Sequence, residues 1–279
     1  MLQIQNLTFG YKRSKEGNVL NNVNLELNNG SIVGLLGKNG TGKTTLLNLI
    51  TGRLFAKEGV ITIDDENVKT KSKSILEKIY FIPDELIVPD VSLKDFIKLY
   101  SPFYKDFSQE KMDECMREFE MSYESDLKLN KSLNKLSMGT KKKVIISLAI
   151  ATNVPYLIMD EPTNGLDIPS KRIFRKLINS HMSEDRMIII STHQVHDVEK
   201  MVDHIVIVGN HDLLINDTTQ GLTEKYTFGT DPKGEVIYSE KSLEGDLCVA
   251  RRTEDEDETP ISLELLFEAV NAKPDAFKQ

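Results

Sequence analysis

Apolar positions in the first sixty residues recur with the two-residue period of β-strands. Leu2, Ile4 and, after a break, Leu7 and Phe9 predict a short extended segment. Val23, Leu25 and Leu27 alternate with Asn24 and Glu26, as in a strand with one wet face. Asn29-Gly30 marks a turn, and Ser31 to Leu36 is an apolar run short enough to be a buried strand. A glycine-rich loop follows, and Thr44 to Ile50 predicts a helix stopped by Gly52. Val60 to Ile63 and Ile79 to Ile82 predict further strands, the latter stopped by Pro83. From Ser92 to about Leu136 the period lengthens. Leu93, Phe96, Ile97 and Tyr100, then Met112, Cys115, Met116 and Phe119, have helical spacing and define a helical insertion. After it come helix 140–152, strand 156–160, helix 169–182, strand 187–191, helix 194–201 and strand 204–208. Helices alternating with apolar strands predict a parallel sheet covered on both faces. Past Asn216 the pattern weakens into polar, short-strand material, with a helix after Ser262.

Composition narrows the class. The 279 residues give a prior of about two domains, or one large α/β domain with attachments. Lys and Arg number 35 against 43 Asp and Glu, a net charge of −8, whereas a general nucleic-acid binder shows a basic footprint. The longest nearly apolar run, Val144 to Ala151, has eight residues, and a membrane span needs roughly 20. The start, MLQIQNLTFGYKRS, lacks a basic leader followed by an apolar stretch. Cys115 and Cys248 supply neither a disulfide framework nor a zinc cluster. The expectation is a soluble, cytoplasmic globular protein.

The chemistry concentrates in two places. Gly37-Lys38-Asn39-Gly40-Thr41-Gly42-Lys43-Thr44 fits G-x-x-x-x-G-K-T and lies between a predicted buried strand and a predicted helix. Its glycines let backbone N–H groups wrap phosphates, and the helix N-terminus adds partial positive charge. Lys43 would reach the β- and γ-phosphates, and the Thr44 hydroxyl would ligate Mg²⁺, with Thr45 next in the loop. The second place is Tyr156-Leu157-Ile158-Met159-Asp160-Glu161, an apolar strand ending in two carboxylates. Asp160 at the sheet edge can stand beside Mg²⁺ through water, and Glu161 can act as a general base on the attacking water.

With these motifs the sequence resembles the nucleotide-binding subunit of an ABC transporter, from about Leu2 to Asn216. Leu136-Ser137-Met138-Gly139-Thr140 is similar to the family signature LSGGQ, with Met138 and Thr140 as departures. Asn164-Gly165-Leu166-Asp167 looks like the D-loop, and His193 matches the switch histidine expected to reach the γ-phosphate. Tyr11 stands at the family's adenine-stacking position. Asp84 stands where the family's Q-loop glutamine is expected, either as an oxygen ligand for Mg²⁺ or as a solvated loop residue. Asp84, the lysines at 141–143 and Pro102-Phe103-Tyr104 resemble a branch of prokaryotic exporter ATPases. The three lysines otherwise read most simply as a solvated helix face, and Glu254 to Glu258 as a solvated loop. His181, His196, His204 and His211 belong to no motif and are expected to be structural.

The resemblance implies an α/β P-loop NTPase core of the ABC ATPase type, a mixed sheet with flanking helices, over 1–216. A helical subdomain is expected at approximately 85–139, and a small dimerisation or regulatory extension at 217–279. It implies ATP hydrolysis with Mg²⁺ between two ATPase subunits, each site completed by Ser137 and Gly139 of the other. Transport, in the export direction, would pass through separate transmembrane permease subunits, with this chain on the inner face of the membrane. The alternative from another class is a soluble ABC-type ATPase acting on nucleic acid or ribosomes.

Overall fold

A computed structural model describes residues 1–12, 17–121, 132–243 and 245–277. The part of the expected helical insertion at 122–131 lies outside the described residues. In chain order the elements begin with β1 (Leu2–Phe9), β2 (Leu20–Leu27), β3 (Ser31–Leu36), α1 (Lys43–Ile50), β4 (Glu58–Ile63) and β5 (Glu66–Asn67). Then come α2 (Lys73–Lys78), β6 (Ile79–Ile82), α3 (Leu93–Tyr100), α4 (Gln109–Glu118) and α5 (Met138–Ala151). The chain continues through β7 (Tyr156–Asp160), α6 (Ile168–Ser180), β8 (Met187–Thr192), β9 (His204–Gly209) and β10 (Asp212–Thr218). It ends with α7 (Thr219–Lys225), β11 (Tyr226–Gly229), β12 (Val236–Ser242), β13 (Gly245–Arg251) and α8 (Leu263–Ala272).

The central sheet has the order β10-β9-β3-β8-β7-β6, with parallel pairing everywhere except the antiparallel β9–β10 edge. Its strands read as unbroken apolar runs because each face meets a different core. Ile32, Leu36, Leu157, Met159, Ile188, Ile190, Ile205 and Ile207 point into the core shared with α5, α6, the helical insertion and the C-terminal elements. Their neighbours Val33, Leu35, Ile158, Ile189, Val206 and Val208 point the other way, against α1 and the antiparallel sheet β2-β1-β4-β5. The break expected in β1 is a bulge: Asn6 has a left-handed φ of 50°, and the register with β2 shifts between Ile4 and Leu7.

Serine hydroxyls start the helices of the insertion, Ser92 accepting from Asp95 N–H and Ser108 from Lys111 N–H. The expected helix at 194–201 is instead a short 3₁₀ turn, Val195–Asp197. Asp197 accepts from the Thr163 hydroxyl and Lys171, Val195, Val198 and Val202 turn into the core, and the segment mixes i→i−3 bonds with isolated i→i−4 bonds instead of a continuous α-helical ladder. C-terminal to β10, the sheet β11-β13-β12 and α8 add Phe228, Val249, Leu263 and Leu266 to the same core. The acidic stretch 254–258 is not wholly solvated. Glu256 is buried and accepts from the Thr253 and Lys233 backbone N–H groups, which hold its carboxyl below the usual range. Among the described residues no helix is long and apolar enough to cross a membrane.

Candidate functional site

Parallel strands deliver their C-terminal ends to one edge of the sheet, and the loops after β3, β6, β7 and β8 converge there. Tyr11, Asn39, Gly40, Gly42, Lys43, Thr44, Thr45, Asp84 and Glu161 line one cavity of about 380 Å³. The loop after β3 wraps tightly. Lys43 Nζ donates to the carbonyls of Gly37 at 2.6 Å and Lys38 at 3.3 Å, and Thr41 Oγ1 donates to Lys38 O at 2.9 Å. Gly37 has no room for a side chain, since a Cβ would lie 2.7 Å from the Val208 carbonyl oxygen. Lys43 is buried, and burial pushes its pKa down, opposed by the charges of Glu161 and Asp160. Thr44 is exposed to the cavity, whereas Thr45 is buried and its hydroxyl meets the Tyr11 hydroxyl at 3.1 Å. The Tyr11 ring is half-exposed and packs edge-on against Phe9.

The two carboxylates after β7 have different surroundings. Asp160 is buried; its Oδ1 accepts from the Ser191 hydroxyl, and its Oδ2 has no protein partner. Glu161 has a left-handed φ of 46°, which for a non-glycine residue costs roughly 1–3 kcal/mol and persists only where neighbours enforce it. Its Oε1 accepts from the His193 backbone N–H at 3.0 Å and faces His193 Nδ1 at 2.7 Å. Its Oε2 accepts from the Thr192 hydroxyl at 3.1 Å. The register of β7 against β8, Asp160 beside Ser191, is what brings these strand ends together.

Asp84 lies on the rim, with Oδ1 3.6 Å from Lys142 Nζ and 3.4 Å from Asn164 Nδ2. Lys142 corrects the expectation of a solvated lysine face. It is buried, and its Nζ donates to the Glu161 carbonyl at 2.7 Å. Lys142 stands three and four residues before the buried Ile145 and Ile146, but α5 is buried on every side from Val144 to Ala151, so its sequence offers no single apolar face that marks the middle lysine as the inward one. Thr192 was likewise not singled out, although it holds Glu161. Ser137 and Gly139 do not line the cavity; Ser137 caps α5 by accepting from Thr140 N–H at 3.1 Å. In the loop at 164–167, Asn164 Oδ1 accepts from Gln194, and Asp167 caps α6 through Ser170 N–H; the Ser170 hydroxyl and then this N–H lower its pKa. His181, His204 and His211 make local contacts with Leu177 O, Asn216 and Val19 O, and His196 faces Glu264.

A strand–glycine loop–helix with a buried lysine, beside a strand ending in Asp-Glu, defines the class: a P-loop nucleoside triphosphatase. The family model described as "ABC transporter" matches residues 20–164. The ABC transporter ATP-binding protein YtrB of Bacillus subtilis (strain 168) is 29% identical over 228 residues, covering 81% of this chain and 75% of its own. The SkfA peptide export ATP-binding protein SkfE of the same organism is 29% identical over 219 residues, covering 77% and 87%. Among solved structures, an "ATP binding subunit of ABC transporter" superposes with a TM-score of 0.70 at 26% identity, covering 80% of this chain and 91% of that one. The dimeric post-hydrolysis state of the ATP-binding cassette MJ0796 bound to ADP and Pi gives 0.68 at 25% identity, covering 78% and 98%. The chain belongs to the ABC transporter family, as an ATP-binding and ATP-hydrolysing subunit that powers transport.

Proposed function

We propose that this cavity binds ATP with Mg²⁺ and that Glu161 is the general base for its hydrolysis. The observation that carries the reading is the Glu161 carboxylate, held by Thr192 and His193 and facing the same cavity as Lys43 and Thr44. The loop N–H groups and Lys43 bind the β- and γ-phosphates, and Tyr11 stacks on adenine. Glu161 accepts a proton from water as its oxygen attacks the γ-phosphorus; the bond to the β–γ bridging oxygen breaks, leaving ADP and phosphate. His193, which does not itself line the cavity, orients Glu161 through its N–H and ring nitrogen.

The donor set fits a Mg²⁺ ion that takes most of its shell from phosphates and water. Asp160 Oδ2 is a buried carboxylate oxygen with no protein partner, and Thr44 is open to the cavity. These two groups would hold the ion, which when bound neutralises phosphate charge. Asp84 Oδ1 is already engaged by Lys142 and Asn164.

Ser137 and Gly139, standing outside their own cavity at the start of α5, are supplied to the site of a second ATPase subunit. The dimeric state of the MJ0796 cassette bound to ADP and Pi supports pairing with a second subunit. A separate transmembrane permease converts closure of the dimer into movement of substrate, with this chain docked on the inner face of the membrane. The relative named for peptide export supports export as the direction. Glu161→Gln tests the core of this reading. It should bind ATP, accumulate as a nucleotide-bound dimer on size exclusion, and lose about 10²–10⁴-fold in steady-state hydrolysis. Wild-type turnover would remove Glu161 from the mechanism. Co-purification of a multi-span membrane protein with the tagged chain tests the partner.

A further inference from the structure

α5 carries three consecutive lysines, and the middle one turns inward. Lys141 and Lys143 are partly exposed, whereas Lys142 is 2% exposed. An ammonium is retained in such a place only where protein acceptors replace its hydration. Here the acceptor is the Glu161 carbonyl at 2.7 Å, and the Asp84 carboxylate, 3.6 Å away, is the ion-pair partner.

The peptide it grips is the left-handed Glu161, and every polar group of that residue is held. Its N–H donates to Ser191 O at 3.0 Å, and its carboxylate is fixed by Thr192 and His193. Its carbonyl accepts from Lys142 and, at 3.2 Å, from the Asn164 N–H. Lys142 alone among these partners comes from α5; Ser191 and Thr192 end β8, His193 follows it, and Asn164 lies in the loop after β7. One turn earlier on α5, Gly139 approaches the same loop closely, a Cβ there lying 3.0 Å from Gly165 O. One face of α5 therefore bears on both ends of the 161–165 segment.

We propose that Lys142 is a positioning residue for hydrolysis. It pins the Glu161 peptide in its left-handed conformation, and so aims the carboxylate, while Asp84 holds the Lys142 ammonium. This rests on the reading of Glu161 as general base. Asp84 then acts through Lys142 and not through a metal. The placement of α5, whose N-terminus carries Ser137 and Gly139, reaches Glu161 through a single ammonium–carbonyl bond.

The test uses Lys142→Met, which keeps the unbranched apolar stem and loses the donor, and Lys142→Arg, which keeps a cationic donor. Lys142→Met should lower kcat by about 10–100-fold with KM for ATP within about twofold, and Lys142→Arg should recover much of the loss. Added to Glu161→Gln, Lys142→Met should change the residual single-turnover rate by less than about twofold, since both act through one carboxylate. Asp84→Asn should lower kcat in the otherwise native protein but not further in the Lys142→Met background, with the Mg²⁺ midpoint unshifted. Wild-type kcat in Lys142→Met would overturn the proposal. So would a kcat loss that comes with an equal loss in Lys142→Arg, or one that multiplies in full with Glu161→Gln. A shifted Mg²⁺ midpoint in Asp84→Asn would assign that carboxylate to the metal and overturn its part. Wild-type turnover in Glu161→Gln alone would sink the base assignment and the proposal with it, in a variant separate from those that probe Lys142.

Discussion

Lys43 and Tyr11 line the same cavity, yet their loss should differ in kind. Lys43→Ala removes a buried positive charge from the phosphates, so ATP binding should weaken and turnover disappear. Tyr11 supplies a ring face, worth about 1–3 kcal/mol by comparison with base–aromatic stacking elsewhere. Tyr11→Ala should therefore raise KM for ATP about tenfold or more with kcat little changed, while Tyr11→Phe, which loses only the hydroxyl facing Thr45, should stay near wild type. Normal ATP affinity in Tyr11→Ala, measured by equilibrium titration, would remove Tyr11 from the adenine site. At this scale the motif residues were legible because their chemistry demands fixed spacing. Lys142 escapes a reading by pattern because it stands in a run of three lysines at the start of a helix that is buried on every side from Val144 to Ala151.

The loop between β3 and α1 depends on its glycines for two different reasons. At Gly37 the limit is space: a Cβ would lie 2.6 Å from Thr41 Oγ1 and 2.7 Å from Val208 O, and the latter is backbone of β9 and cannot swing aside. At Gly40 the surroundings are open, and only the left-handed φ of 82° opposes a side chain, a cost of roughly 1–2 kcal/mol. Gly37→Ala should lower ATP affinity by about tenfold or more, and Gly40→Ala by several-fold less; a fluorescent ATP analogue measures both. The strands were read well because sheet burial on both faces leaves few alternatives to a continuous apolar run. The segment after β8 was not, because its apolar spacing is that of a helix while Asp197 is claimed by Lys171, at 2.7 Å, from a different element.

Asp64 ties the antiparallel sheet to the central one, accepting from Lys78 at 2.8 Å, the Met1 amine at 2.8 Å and the Tyr156 hydroxyl. Burial pushes its pKa up, but those three donors outweigh it and hold the carboxyl at about 2, below its ordinary 3.8. A carboxylate with a depressed folded pKa stabilises above its ordinary value and loses that contribution as pH falls through about 2. Asp64→Asn should thus reduce stability at pH 6 by about 1 kcal/mol, a figure discounted for its solvent-exposed side, and flatten the acid limb between about pH 4 and 2. Urea unfolding across that range checks it, and parallel acid limbs in the two proteins would exclude the linkage. Across the whole molecule, the sequence by itself determined the strands β1 to β4 and β6 to β9, the helices α1, α3 to α6 and α8, the phosphate loop and the Asp160-Glu161 pair. These depend on local periodicity and on chemistry that tolerates few residue types. The tertiary structure alone decided the division of alternate strand residues between two cores, the inward turn of Lys142 and the burial of Glu256 on backbone N–H groups. It also decided the hold of Thr192 and His193 on Glu161. A charged side chain's partner is set by the elements that happen to pack against it, and that pairing leaves no period in the chain.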